Sequence, residues 1–308
     1  MSVNIKYKDS TIAEITESVT KTLKTSGKYC EADIVVENTK DGGAAITDGI
    51  VVKARDANGY ATEVDYYSTA GVVYPSQFVG TEKGNNGTPT AMRYLKKVNL
   101  KNRITTLKSG AFEKTFALEQ IVGVDANPFE YVTSMDNTPW RGIFQNCACP
   151  LTLSLPNFTG EIANKAHSFC NEATGLLSVS IPNATGELHQ YAFSNCTALK
   201  TVYLPKITAL NADAAQQKGV FRGCTALESV QIGSVGYSAT VANNNFYGDT
   251  QTGLTITVYT TGANADTVVA NIRSGATNAT IIIKAAEDTT YGGASYSAGD
   301  TMITSEVT

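Results

Sequence analysis

The sequence predicts a mainly β chain built as a stack of repeated units, with a small N-terminal β domain in front of the stack. Three observations predict it. The stretch "YAFSNCTALKTVYLP", starting at Tyr191, returns 28 residues later as "GVFRGCTALESVQIG", with the aromatic, the cysteine and the leucine held in place. Weaker copies flank these two, and the whole series is anchored on Phe112, Phe144, Phe169, Phe193, Phe221 and Phe246 at intervals of 32, 25, 24, 28 and 25 residues. Each anchor is followed by a short apolar–polar alternation, the mark of a strand with one buried face.

The alternations are Leu153-Ser154-Leu155, Val179-Ser180-Ile181, Val202-Tyr203-Leu204, Val230-Gln231-Ile232 and Ile256-Thr257-Val258. A unit of about 20–29 residues carrying one strand has the period of the leucine-rich-repeat class. Pro156, Pro182 and Pro205 follow three of these strands. Lacking an N–H, proline suits a strand end and not its interior. Turn-rich residues then lead to a second apolar patch, seen in "TGEIA", "TGELH", "ITALN" and "ITTLK". No unit of this size buries its apolar face alone, so the Phe residues are expected to stack from unit to unit as the repeat core.

The stretches "YAFSNCTALKTVYLP" and "GVFRGCTALESVQIG" resemble the bacterial BspA-like, or Treponema-type, leucine-rich repeat family, whose units read roughly "aF..C.sL..v.lP". The resemblance covers about residues 95–260. Other copies depart from it: Cys170 follows its Phe by one residue, and the copies at Phe112 and Phe246 have no Cys. The resemblance implies a right-handed leucine-rich-repeat solenoid that acts in surface attachment and protein binding, without catalysis.

Residues 1–90 read differently. "IKYKDSTIAEITESVTKTLKTSGKYCEADIVVEN" predicts two or three strands with a hairpin near Ser26-Gly27, and "IVVKARDANGYATEVDYY" two more around an Asn58-Gly59 turn. The "TKTLKTSGKY…DIVVEN" stretch resembles the N-terminal region of tail and baseplate-associated proteins of phages and prophages from Gram-positive gut bacteria. That implies attachment to other virion proteins through residues 1–90, beside or instead of capping the solenoid. The solenoid is expected over 91–286. It closes with a helix from near Asn264 or Asp266 to Gly275 and a strand at Ile281–Ile283. The Gly-, Ser- and Thr-rich residues 287–308 read as a mobile tail.

Composition excludes several classes. The net charge is −4, which gives nucleic acid no basic face. No run of 18 or more apolar residues exists to span a membrane, and "MSVNIKYKDS" lacks the features of a secretion signal. With that start, the expected location is a virion or prophage particle, the alternative being the cell surface.

Cys147, Cys196 and Cys224 each fall three residues after their Phe. Such a column reads as small buried thiols filling a turn. Cys147-Ala148-Cys149 has no second pair of ligands at zinc spacing. His167 and His189 are the two histidines, and neither lies beside a recognisable nucleophile and orienting acid. No catalytic residue, cofactor or metal is expected.

What remains is a surface. The outward positions along the strands are Lys97/Asn99, Gln120/Val122, Thr152/Ser154, Ser178/Ser180, Thr201/Tyr203, Ser229/Gln231 and Thr255/Thr257, expected as one continuous, hydroxyl-rich face. Ser154, Ser180, Thr201, Tyr203, Ser229 and Gln231 are the candidate ligand-binding residues, for a protein or a surface glycan on a cell. The expected function is the adhesive or receptor-binding part of a phage or prophage tail-associated protein, or alternatively a bacterial cell-surface adhesin.

Overall fold

The computed structural model describes strands at 3–6, 12–15 and 33–36 and then residues 49–306, apart from 58–59, 76, 79–91, 93, 137–140, 163–168, 190, 212–218, 235–244, 247–248 and 250. The expected hairpin at Ser26-Gly27 and turn at Asn58-Gly59 lie outside the described residues.

At the N-terminus, β1 (Val3–Lys6) pairs antiparallel with both β2 (Ile12–Ile15) and β3 (Asp33–Val36). Next, β4 (Gly49–Arg55) pairs antiparallel with β5 (Ala61–Tyr67). The pattern then changes. After β6 (Val72–Val73), β7 (Lys97–Leu100) lies parallel to β5, and after β8 (Thr106–Lys108), β9 (Gln120–Val122) lies parallel to β7. Parallel stacking therefore starts at β5 and runs across residue 90, where the sequence suggested a divide.

A narrow second ladder accompanies the first. There β6, β8 and β10 (Ser134–Asp136) pair in parallel, as do β13 (Glu187–His189) and β15 (Ala209–Asn211) further on. These are the second apolar patches of the repeat.

The main sheet joins β11 (Leu151–Ser154), β12 (Leu176–Ser180), β14 (Thr201–Leu204), β16 (Ser229–Ser234), β17 (Thr255–Thr260) and β18 (Thr280–Ala285), all parallel. Helix α1 (Ala265–Gly275) connects the last two and buries Val268 and Ile272. It spans the residues expected to be helical.

The tail differs from expectation. Strands β19 (Thr289–Tyr291) and β20 (Ala294–Tyr296) form a hairpin, and β21 (Thr301–Ser305) pairs antiparallel with β18. Gly292 and Gly293, at φ 58° and 84°, supply the left-handed turn between the hairpin strands, and Met302 is buried. The composition that suggested a loose tail is here the composition of a tight turn.

The core is the expected column of rings. Phe112, Phe144, Phe169, Phe193, Phe221 and Phe246 are all buried, and Phe78 adds a ring before them. Ring centroids lie 5.1 Å apart for Phe78–Phe112, 5.3 Å for Phe112–Phe144, 5.5 Å for Phe193–Phe221 and 5.2 Å for Phe221–Phe246, each pair stacked. Phe169 is the exception. Its ring stands at 84° to Phe144 and 87° to Phe193.

Backbone hydrogen bonds give the reason. Phe112 N–H donates to Ile143 O and Phe193 N–H to Val220 O, the carbonyl just before the next aromatic. Phe144 N–H donates instead to Phe169 O, and it is Cys170 N–H that donates to Ala192 O. Cys170 thus occupies the slot held by Phe in the neighbouring units, and Ala173 the slot of the column cysteine. The left-handed residue of each turn agrees: Lys114, Asn146, Glu172, Asn195 and Gly223 each follow the slot by two. Aligning this unit on its Phe is off by one residue, and Phe169 reaches the column edge-on from one position earlier.

Candidate functional site

Side chains alternate along a strand, and parallel register lines equivalent positions into rows. Because Val, Leu and Ile fill the inward positions, the outward ones form two rows across β11 to β17. One runs Ser154, Ser180, Tyr203, Gln231, Thr257 and the other Thr152, Ser178, Thr201, Ser229, Thr255. All six candidate residues therefore lie on one face, with Tyr203 between Ser180 and Gln231 and Thr201 beside Ser229. Tyr203 is 41% exposed, the one large apolar side chain in either row.

Gln231 is held. Its Nε2 donates to the Tyr259 hydroxyl at 3.0 Å, which leaves its carbonyl oxygen as an acceptor with no partner among the described residues. Tyr259 was missed because the β17 alternation was read as ending at Val258, while the strand continues to Thr260. One more step of the same period-two count finds it.

The face is not continuous with the strands before it. The sheet order is β4-β5-β7-β9 in one sheet and β11-β12-β14-β16-β17-β18-β21 in another. Within the second sheet, Leu155 N–H donates to Ser180 O and Ile181 N–H to Tyr203 O. The equivalent acceptor at the open side of β11 is Ser154 O, and it takes the side-chain Nδ2 of Asn127 at 3.0 Å. Asn127 belongs to the extra residues of the 32-residue interval, so an amide from a loop stands where a strand would pair.

Lys97, Asn99, Gln120 and Val122 accordingly belong to a separate patch of different chemistry. Lys97 Nζ lies 3.0 Å from Glu63 Oε1, and Asn99 Nδ2 donates to both Glu63 Oε1 and Asp65 Oδ1 at 2.9 Å. The Asn99 bond, then Lys97, holds the Glu63 carboxyl below its ordinary value.

The thiol column lies inside. Cys147, Cys149, Cys170, Cys196 and Cys224 are buried and free, while Cys30 lies outside the described residues. Cys196 Sγ donates to Cys170 O and Cys224 Sγ to Phe193 O, both at 2.9 Å. Burial pushes the Cys147, Cys170 and Cys224 thiols up, and Cys149 up to about 12. Asp249 continues this column, for its N–H donates to Phe246 O as Cys224 N–H does to Phe221 O. Burial raises its carboxyl to about 8.

His189 sits in β13, with Nε2 4.0 Å from Glu187 Oε2, and His167 lies outside the described residues. Among the described residues no group of three or more His, Cys, Asp or Glu converges to hold a metal, and no helix is long and apolar enough to cross a membrane.

Comparison with known proteins agrees with this architecture. The family model for the BspA type leucine rich repeat region matches in six copies, over residues 89–130 and 141–262. Neither the curated proteins nor the solved structures contain a match. Proteins of this repeat class are typically binding scaffolds and not catalysts. With more than half of its length matched and its parallel repeat register in agreement, the chain belongs to the BspA-type leucine-rich repeat family.

Proposed function

We propose that the chain is an adhesin-like binding protein that holds a protein or a surface glycan against the outer face of its main sheet, with Tyr203 and Gln231 at the centre and Thr201 and Ser229 beside them. The observation that carries this is the exposed Tyr203 ring, set among short polar side chains on a rigid parallel sheet. Tyrosine offers a large contact area with only two torsions to freeze. Repeat stacks use such extended faces for binding.

The test is binding of the purified chain to gut bacterial cells and to immobilised host proteins, before and after combining Tyr203→Ala with Gln231→Ala. Truncating an aromatic anchor costs about 2 kcal/mol or more, roughly a 30-fold loss of affinity. Undiminished binding by a double variant that melts like the parent would move the site off this face.

The family match is compatible with a cell-surface adhesin. A tail-associated setting, with residues 1–90 attaching the solenoid to other virion proteins, rests on the resemblance of the N-terminal stretch alone. An antibody to the chain should label the surface of intact producing cells under the first reading. Label confined to phage particles would favour the second.

A further inference from the structure

The two sheets divide the outer surface by charge. On β5, β7 and β9 the outward positions include Glu63, Asp65 and Lys97, paired among themselves through Asn99. From β11 to β17, neither outward row holds a charged residue. Lys200 and Glu228, just before β14 and β16, neutralise each other at 2.8 Å.

From this partition we infer that the ligand of the main sheet is a neutral polysaccharide. The inference rests on the binding face proposed above and names its occupant. Three features point the same way. The rows from β11 to β17 give no attraction to a polyanion, Lys284 on β18 being the first outward charge beyond them and its Nζ donating to Gly299 O at 3.4 Å, and a charged ligand laid across these rows loses hydration without a partner ion. Serine and threonine are poor in the hot spots of protein interfaces, which favour Trp, Tyr and Arg, and this face offers two Tyr, of which Tyr259 accepts a hydrogen bond from Gln231. Sugars present hydroxyls on their edges and C–H groups on their faces. Ser and Thr hydroxyls donate and accept, the Gln231 carbonyl accepts, and the Tyr203 ring supplies an apolar platform. Parallel register repeats equivalent hydroxyls about every 4.8 Å across the strands, a spacing on the scale of one sugar ring.

The experiment is native affinity electrophoresis of the full chain in gels containing dextran, mannan, starch, a mixed-linkage β-glucan or hydroxyethylcellulose, with polygalacturonate as the anionic control. At least one neutral polymer should retard the chain. Its apparent affinity should change less than about twofold between 0.05 and 0.5 M salt, since no ion pairs are screened, and Tyr203→Ala should lower it at least about tenfold. Tyr203 is exposed, so this variant should melt with the parent. Retardation by polygalacturonate alone, or by none of the polymers, overturns the inference. If cell binding is still lost on changing Tyr203 and Gln231, the binding face survives and its occupant is a protein. Neutral-polymer binding that Tyr203→Ala leaves intact also overturns it, since the sugar then sits elsewhere.

Discussion

A thiol attacks as its thiolate, and burial suppresses the thiolate. The described cysteines sit inside turns, with Cys196 and Cys224 donating to backbone carbonyls of the preceding unit. A native-state titration with an aromatic disulfide reagent should leave these five unreactive, and unfolding without reductant should release six thiols. A Cys196–Cys224 bridge found by mass spectrometry would refute the turn-filling role. Asp249 makes the opposite kind of residue. It stands in the column position of a cysteine, fully buried, and its carboxyl is raised from an ordinary value of 3.8 to about 8. The cause is burial. The backbone N–H groups of Cys224 and Gly223 lie toward it without completing a hydrogen bond, and offset only part of it. Between these two values the folded chain holds a proton that the unfolded chain has released, so this contribution is full below about pH 4 and is lost as pH rises to about 8. The slope is at most about 1.4 kcal/mol per pH unit. Asp249→Asn should flatten the fall in denaturant midpoint between pH 5 and pH 8, and parallel curves for the two proteins would refute a neutral Asp249.

At the scale of elements, the ring column and the close turns hold unit to unit. Phe193 lies 5.5 Å from Phe221 in near-parallel stacking and 5.9 Å from Phe169 edge-on. Phe193→Ala therefore opens a cavity at the centre of the stack, and should cost about 3–5 kcal/mol in denaturant melts. A loss below about 1 kcal/mol would mean that the column is not a shared core. Gly175 tests the fit between backbones. A Cβ there would lie 2.0 Å from the Ala148 carbonyl oxygen and 2.4 Å from that of Cys149. Neither is the end of a flexible side chain, so Gly175→Ala must push two units apart and should destabilise by about 1–3 kcal/mol or more. Melting at the parent temperature would show that the units are less closely seated.

At the scale of the molecule, a repeat stack must end its sheet without leaving an inviting edge. On one side β4 pairs antiparallel with β5, and on the other β21 pairs antiparallel with β18. Arg273 ties the second end, its guanidinium donating to Ala279 O at 2.6 Å and to Ser305 O at 3.0 Å. Removing residues 287–308 would uncover the β18 backbone and the apolar contact of Met302. The truncated chain should melt lower and self-associate in analytical ultracentrifugation. A monomer of unchanged stability would show that β21 closes nothing.

Much of this architecture was legible in the sequence because it rests on local, repeated chemistry. The Phe interval, the period-two strands and the prolines after them each depend on neighbours within a few residues, and the repetition makes each signal recur. The identity of the six outward candidate residues was legible for the same reason, since alternation alone sets which face a side chain takes. Other features depended on pairing between distant residues, which carries no local mark. The displacement of Phe169 by Cys170 shows only in which carbonyl accepts which N–H. The break between β9 and β11 needs Asn127 to reach Ser154 O across 27 positions. The antiparallel closure by β21 needs a glycine turn to bring a polar-looking tail back against β18. Local sequence determined the strands and the faces they present, and tertiary hydrogen bonding decided where one sheet stops and the next begins, because a backbone carbonyl such as Ser154 O is satisfied by a side-chain amide as well as by the N–H of a neighbouring strand.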